Sequence, residues 1–141
     1  MRRFKFNLEK ILQLRKFREE ECKLALGQAV SLLNKIEIDI KETAVKKHAA
    51  SSKRFLNVAE IALWDNYVTR LDQQADKLIE QAAKAQAVVE EKRALYLEAR
   101  TELKAMEKLK EKQKKEYRGE TLNNEITQID DITSARMFLE R

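Results

Sequence analysis

From Ala75 to Tyr117 the chain sets a seam residue at alternating third and fourth positions: Ala75, Leu78, Ala82, Ala85, Val89, Lys92, Tyr96, Ala99, Leu103, Met106, Lys110, Gln113 and Tyr117. This spacing averages 3.5 residues, the repeat that keeps one stripe of an α-helix against a partner helix as the two supercoil. The second half of the chain is therefore bound to a coiled coil. Upstream, Trp64, Tyr67 and Leu71 extend the stripe, although the step from Leu71 to Ala75 is four residues where three is due, which reads as a local stutter.

The partner stripe is in the first half: Leu8, Ile11, Arg15, Arg18, Cys22, Ala25, Ala29, Leu32, Ile36 and Ile40, widened by Leu26, Val30 and Leu33. Cys22, Ala25 and Ala29 are small enough to let a partner helix approach, and in an antiparallel pair they are expected to face the region of Tyr96, Ala99 and Leu103. Composition supports helix throughout, because Pro is absent, only Gly27 and Gly119 break the run, and 38% of residues are charged. Eight aromatic rings besides Trp64 are too few for a thick core. The segment from His48 to Asn57, with Ala49, Ala50, Ser51 and Ser52, is the weakest helical stretch and the expected reversal. A short connection makes the flanking helices antiparallel neighbours.

The expected fold is all-α: a long antiparallel two-helix coiled-coil hairpin with a short C-terminal helical extension, forming a single coiled-coil domain over residues 1–141. Helix one covers about residues 4–47, the turn about 48–59, helix two about 60–118 and the tail 119–141. Helices of these sizes would measure about 65 and 90 Å at 1.5 Å per residue, so helix two overhangs. Gly119 is expected to end or kink helix two, with Asn123 or Asn124 capping a last amphipathic piece that carries Ile126, Ile129, Ile132, Met137, Phe138 and Leu139.

Nothing in the sequence favours catalysis. No nucleophile motif, phosphate-binding loop or metal-ligand spacing is present, and two paired helices form no concave pocket for a substrate. The single His48 reads as an exposed residue near the loop, Cys22 as a small apolar seam residue, and the neighbouring Asp130 and Asp131 as cap or partner contacts. The chain is thus expected to be no enzyme and to use no cofactor or metal. No apolar run reaches the roughly 18 residues of a membrane span, residues 1–14 lack a secretory signal pattern, and one cysteine forms no internal disulfide, which together point to the cytosol.

Charge is more informative. In residues 1–18, Arg2, Arg3, Lys5, Lys10, Arg15, Lys16 and Arg18 face one acid, Glu9; in residues 104–118 seven Lys and Arg face Glu107, Glu111 and Glu116. An antiparallel hairpin brings these segments side by side and makes a basic base, suited to an acidic protein surface, nucleic acid or anionic lipid. A plain solvated helix face explains much of 104–118, but not arginines at seam spacing, Arg15 and Arg18. Near the reversal, Trp64, Tyr67, Leu71 and Leu78 read first as seam, with part of the cluster left uncovered for a partner.

The opening Phe4-Lys5-Phe6-Asn7-Leu8-Glu9-Lys10-Ile11-Leu12-Gln13-Leu14-Arg15 resembles the N-terminal signature of the flagellar export protein FliJ family. Glu107 to Lys112, Glu116-Tyr117-Arg118, Glu120 and Ile129-Asp130-Asp131 agree at the far end, and Tyr67 to Leu71 is similar to the family's aromatic-plus-Leu stretch after the turn. The resemblance implies a non-catalytic component of the flagellar type III export apparatus, similar to the central stalk of rotary ATPases, serving motility and chemotaxis from the cytoplasmic face of the basal body. Its implied partners are the export ATPase hexamer FliI, through the basic end with Arg15, Arg18 and Lys110; the export gate FlhA, through Tyr67, Leu71 and Leu78; and, in some members, export chaperones. The family's helix-one aromatics have no counterpart, since Thr43, Ala44, Lys47 and His48 stand there. The alternatives are a generic coiled-coil stalk or scaffold of a related secretion or vacuolar-type ATPase, and a basic helical nucleic-acid-binding protein, the latter disfavoured by the interleaved glutamates and few aromatics.

Overall fold

The computed structural model describes residues 3–52, 54–55 and 57–139. Arg2 of the basic opening, Lys53 and Leu56 of the reversal, and Glu140 and Arg141 of the tail lie outside the described residues. Two helices make up the fold, α1 (Glu9–Ser51, 43 residues) and α2 (Val58–Leu139, 82 residues), packed against each other with no strand among the described residues. The chain divides into two compact units. One comprises residues 1–19 and 99–141, the other residues 20–98.

The 20–98 unit holds the reversal. α1 runs one turn beyond its expected end, and Asn57 starts α2 by accepting the Glu60 backbone N–H on its side-chain oxygen at 2.9 Å, a cap that contributes about 1 kcal/mol. The connection is thus shorter than the 48–59 span expected from the sequence. Behind the turn, Leu33, Ile36, Ala85 and Val89 form the buried centre, flanked by Leu26, Ala29, Val30, Ile40, Leu78 and Ala82. Lys47 pairs with Asp72 at 2.5 Å, and the buried Thr43 satisfies its hydroxyl by donating to the Asp39 carbonyl at 2.9 Å. Cys22 and Ala25 border a cleft with Lys92 and Leu95.

In the other unit the packed residues are Phe6, Leu12 and Ala99, with Leu8, Leu103, Met106, Gln113 and Tyr117 partly covered. Leu12, at 1% exposure, is its most enclosed large side chain. Phe4 and Tyr117 pack at a ring separation of 5.6 Å.

On α2 every seam position from Ala75 to Tyr117 is buried or half-buried. On α1 the expected stripe packs inward at Leu8, Arg15, Arg18, Cys22, Ala25, Ala29, Ile36 and Ile40 and differs at two positions. Ile11 and Leu32 are exposed, and Leu12 and Leu33 are buried in their stead. Both pairs are adjacent apolar residues, so hydrophobicity could not choose between them. The observed order Leu26, Ala29, Leu33, Ile36, Ile40, Thr43 alternates three and four without a break, whereas the expected one needed an irregular step from Ile36 to Ile40. Glu102 takes Arg15 and Arg18 as partners, and Cys22 and Ala25 lie with Lys92 and Leu95, next to the expected Tyr96.

Two further expectations are corrected. No stutter separates Leu71 from Ala75, because Val68 and not Tyr67 is turned inward, giving Trp64, Val68, Leu71, Ala75 in regular four-three-four order. Nor does Gly119 end α2. Its φ is not positive, and Asn123 is an interior residue whose carbonyl accepts from the Thr127 hydroxyl at 2.9 Å. One glycine costs a helix about 1 kcal/mol relative to Ala, too little to stop a run of strong helix formers.

The seam phase has a direct check. Leu33→Ala is expected to lower unfolding free energy by about 2 to 3 kcal/mol, in the range of large-to-small core substitutions, and Leu32→Ala by less than about 1 kcal/mol. Urea denaturation of the two variants measures the difference; equal losses would restore the alternative phase.

Candidate functional sites

In the unit that joins the two chain termini, charge is sorted by what each side chain faces. Arg15 and Arg18 converge on one Glu102 carboxylate, Arg18 at 3.1 Å, and Lys110 meets Glu9 at 2.9 Å. All five groups are partly covered, and a half-desolvated ion pair holds register more than it adds stability. The three cations expected to meet a partner are therefore engaged within the chain. Four further cations, Lys16, Lys114, Lys115 and Arg118, line a cleft of about 380 Å³ together with Lys110, Leu12, Glu107 and Glu111. None of these four is in an ion pair among the described residues. The sequence showed the local excess of positive charge but not its distribution, since choosing the unpaired lysines requires knowing which acid each one faces.

Past the Phe4 and Tyr117 rings, α2 carries Leu122, Ile126, Ile129 and Ile132 exposed, followed by Met137, Phe138 and Leu139. Together they form an exposed apolar stripe, larger than scattered surface apolar residues account for. Asp130 and Asp131 stand exposed among them.

In the 20–98 unit the site residues are less alike than their sequence spacing suggests. Leu71 is 5% exposed and belongs to the seam, and Leu78 packs on the buried centre. Tyr67, at 40% exposure, is the one that offers its ring to solvent. Beside it the Trp64 indole N–H donates to the Ala50 carbonyl at 2.7 Å, tying α2 to the last turn of α1. Phe55 packs edge-on against Trp64 at 5.3 Å. These rings wall a cavity of about 670 Å³ floored by Ala49 and Ala50. Sequence reasoning missed Phe55 and Leu63 there, because neither sits at a seam position; the aromatic next to the reversal was the available signal.

His48 is exposed, and its carbonyl accepts from the Ser51 and Ser52 hydroxyls. Cys22 is half-buried. Among the described residues no group of three or more His, Cys, Asp or Glu could hold a metal ion, and no helix is long and apolar enough to cross a membrane.

The Lys110 contact gives a pH dependence. Hydrogen bonds from Lys110 and then Gln13 hold the Glu9 carboxyl below its ordinary value. A carboxyl depressed in the folded state stabilises that state above its unfolded pKa, and the contribution is lost as pH falls through the folded value. Thermal unfolding followed from pH 7 down to pH 3 should show a smaller acid loss in Glu9→Gln than in wild type, with the two curves converging at the acid end; identical slopes would leave the pair without effect.

No curated protein and no solved structure matches the chain. The family model described as "Flagellar FliJ protein" matches residues 4–141, nearly the full length. That match, over a chain of two packed helices, means that this protein belongs to the flagellar FliJ family and is a coiled-coil component of flagellar protein export, with motility and chemotaxis following from that role.

Proposed function

We propose that the chain is a non-catalytic, stalk-like part of the export apparatus that docks in the export ATPase hexamer FliI, promotes its assembly and hydrolysis, and links it to the export gate FlhA. The observation that carries this reading is the stretch of α2 beyond Tyr117, where Leu122, Ile126, Ile129 and Ile132 are exposed, together with the unpaired cations Lys16, Lys114, Lys115 and Arg118 in the same unit. An apolar helix with a basic collar suits insertion into a ring with an apolar sleeve and an acidic rim. Arg15, Arg18 and Lys110 serve the contact by fixing the two strands of the pair in register. Hydrolysis belongs to the partner.

For the gate, Tyr67 supplies the contact and Leu71 and Leu78 hold its helix in place. Unloaded export chaperones are a further class of partner on this reading, and the protein works in the cytoplasm at the base of the flagellum. The nucleic-acid alternative is weakened by the cleft lining, which holds no aromatic ring on which a base could stack.

Two variants test the ATPase contact. Reversing Lys16, Lys114, Lys115 and Arg118 to Glu, or replacing Ile126 and Ile129 by Asp, is expected to reduce stimulation of hydrolysis by FliI at least roughly tenfold, the equivalent of about 1.4 kcal/mol of binding. Circular dichroism should show helicity nearly unchanged, since these side chains are exposed or form no ion pair. Full stimulation by both variants would overturn the reading, and a steeply salt-dependent gel shift with DNA would favour the alternative.

A further inference from the structure

The cavity beside the turn continues along α2. Its wall residues Glu60, Leu63 and Tyr67 are followed by Arg70 and Gln74 around a smaller hollow of about 230 Å³, and Lys46 of α1 borders both. Glu60, Leu63, Tyr67, Arg70 and Gln74 alternate three and four residues apart. Beside the row of Trp64, Val68, Leu71 and Ala75 that faces α1, and offset from it by one residue, α2 thus carries a flanking row whose apolar members are Leu63 and Tyr67. An apolar pair beside a seam widens the apolar face and can be covered by a second neighbour. Only one neighbour is provided by α1.

The apolar members of this second row are uncovered: Leu63 is 70% exposed and the Tyr67 ring is open to solvent. Its cations are uncovered too. Lys46, Arg54 and Arg70 are in no ion pair among the described residues, whereas the adjacent Lys47 is bound to Asp72. The groove therefore has an apolar aromatic wall about two turns long, with three positive charges in no ion pair along its borders and Glu60 as the acid that lines it.

We propose that this groove receives a short, acidic amphipathic helix of the partner bound by this unit, making a local three-helix coiled coil. Two apolar side chains three or four residues apart on the incoming helix rest on Leu63, Tyr67 and the Phe55–Trp64 corner, and its flanking Asp or Glu side chains meet Lys46, Arg54 and Arg70. This is recognition of a helix in a groove, where buried apolar anchors supply affinity and the charged borders supply orientation and speed of encounter. The proposal rests on the gate-docking reading given above and specifies the chemistry of the segment the gate presents.

Trp64 is the single tryptophan of the chain and stands in the groove wall, so its emission reports occupancy. The full chain is titrated with the purified cytoplasmic region of FlhA, and with overlapping Trp-free 20-residue synthetic peptides spanning that region. A peptide with net negative charge and paired apolar anchors is expected to shift Trp64 emission saturably. Leu63→Asp, and separately the triple reversal Lys46→Glu, Arg54→Glu, Arg70→Glu, should each weaken its binding at least roughly tenfold, with helicity held as a control. If the FlhA region binds wild type and both variants equally, this groove is not its seat and the proposal falls, while gate docking stands. If it does not bind wild type at all, the gate reading falls and takes the proposal with it. A mass that grows with concentration in the absence of FlhA, with a matching change in Trp64 emission that Leu63→Asp removes, would make a second copy the occupant and also overturn the proposal.

Discussion

A pair of helices has no third layer, so each buried side chain is covered from one direction only and the whole fold hangs on the register of one seam. This constraint accounts for the small number of fully enclosed residues, with Leu12 the largest of them, and for the small size of several others, such as Ala85 and Ala99. Helices of this length would slide past each other at little cost if the seam were uniformly apolar. Polar members prevent it: the Arg15 and Arg18 clamp on Glu102 and the Lys110 pair with Glu9. A misaligned seam would strand these groups against apolar neighbours, so they contribute specificity more than strength.

The same thinness leaves large apolar side chains uncovered at two places where pairing runs out. One is the stretch of α2 past Tyr117, where the apolar stripe continues without cover. The other is the turn, where Trp64 and Phe55 close the corner and leave Tyr67 and Leu63 outside. Both are large apolar groups set among charges, the composition of surfaces that dock on protein.

Much of this was legible before folding was considered. The scarcity of breakers and the unbroken alternation from Ala75 to Tyr117 specify helix two and its inward face, because α-helical geometry alone converts spacing into direction. Where the pattern offered adjacent apolar residues, as at Ile11 and Leu12 or Leu32 and Leu33, periodicity permitted two phases. Tyr67 drew the reading outward from Val68 because a large aromatic looks like a seam residue, and Gly119 looked like a stop because it is one of only two glycines.

The sequence by itself determined that the chain is helical, that it is paired, that its two terminal segments are basic, and the family to which it belongs. Those properties follow from local propensity, residue spacing and residue order. The tertiary structure decided which of two neighbouring apolar residues faces inward, which cations are spent on internal acids, and which rings remain at the surface. Each of those depends on what the opposite helix presents at the same height, a relation between residues as far apart as Arg15 and Glu102 that no local window contains.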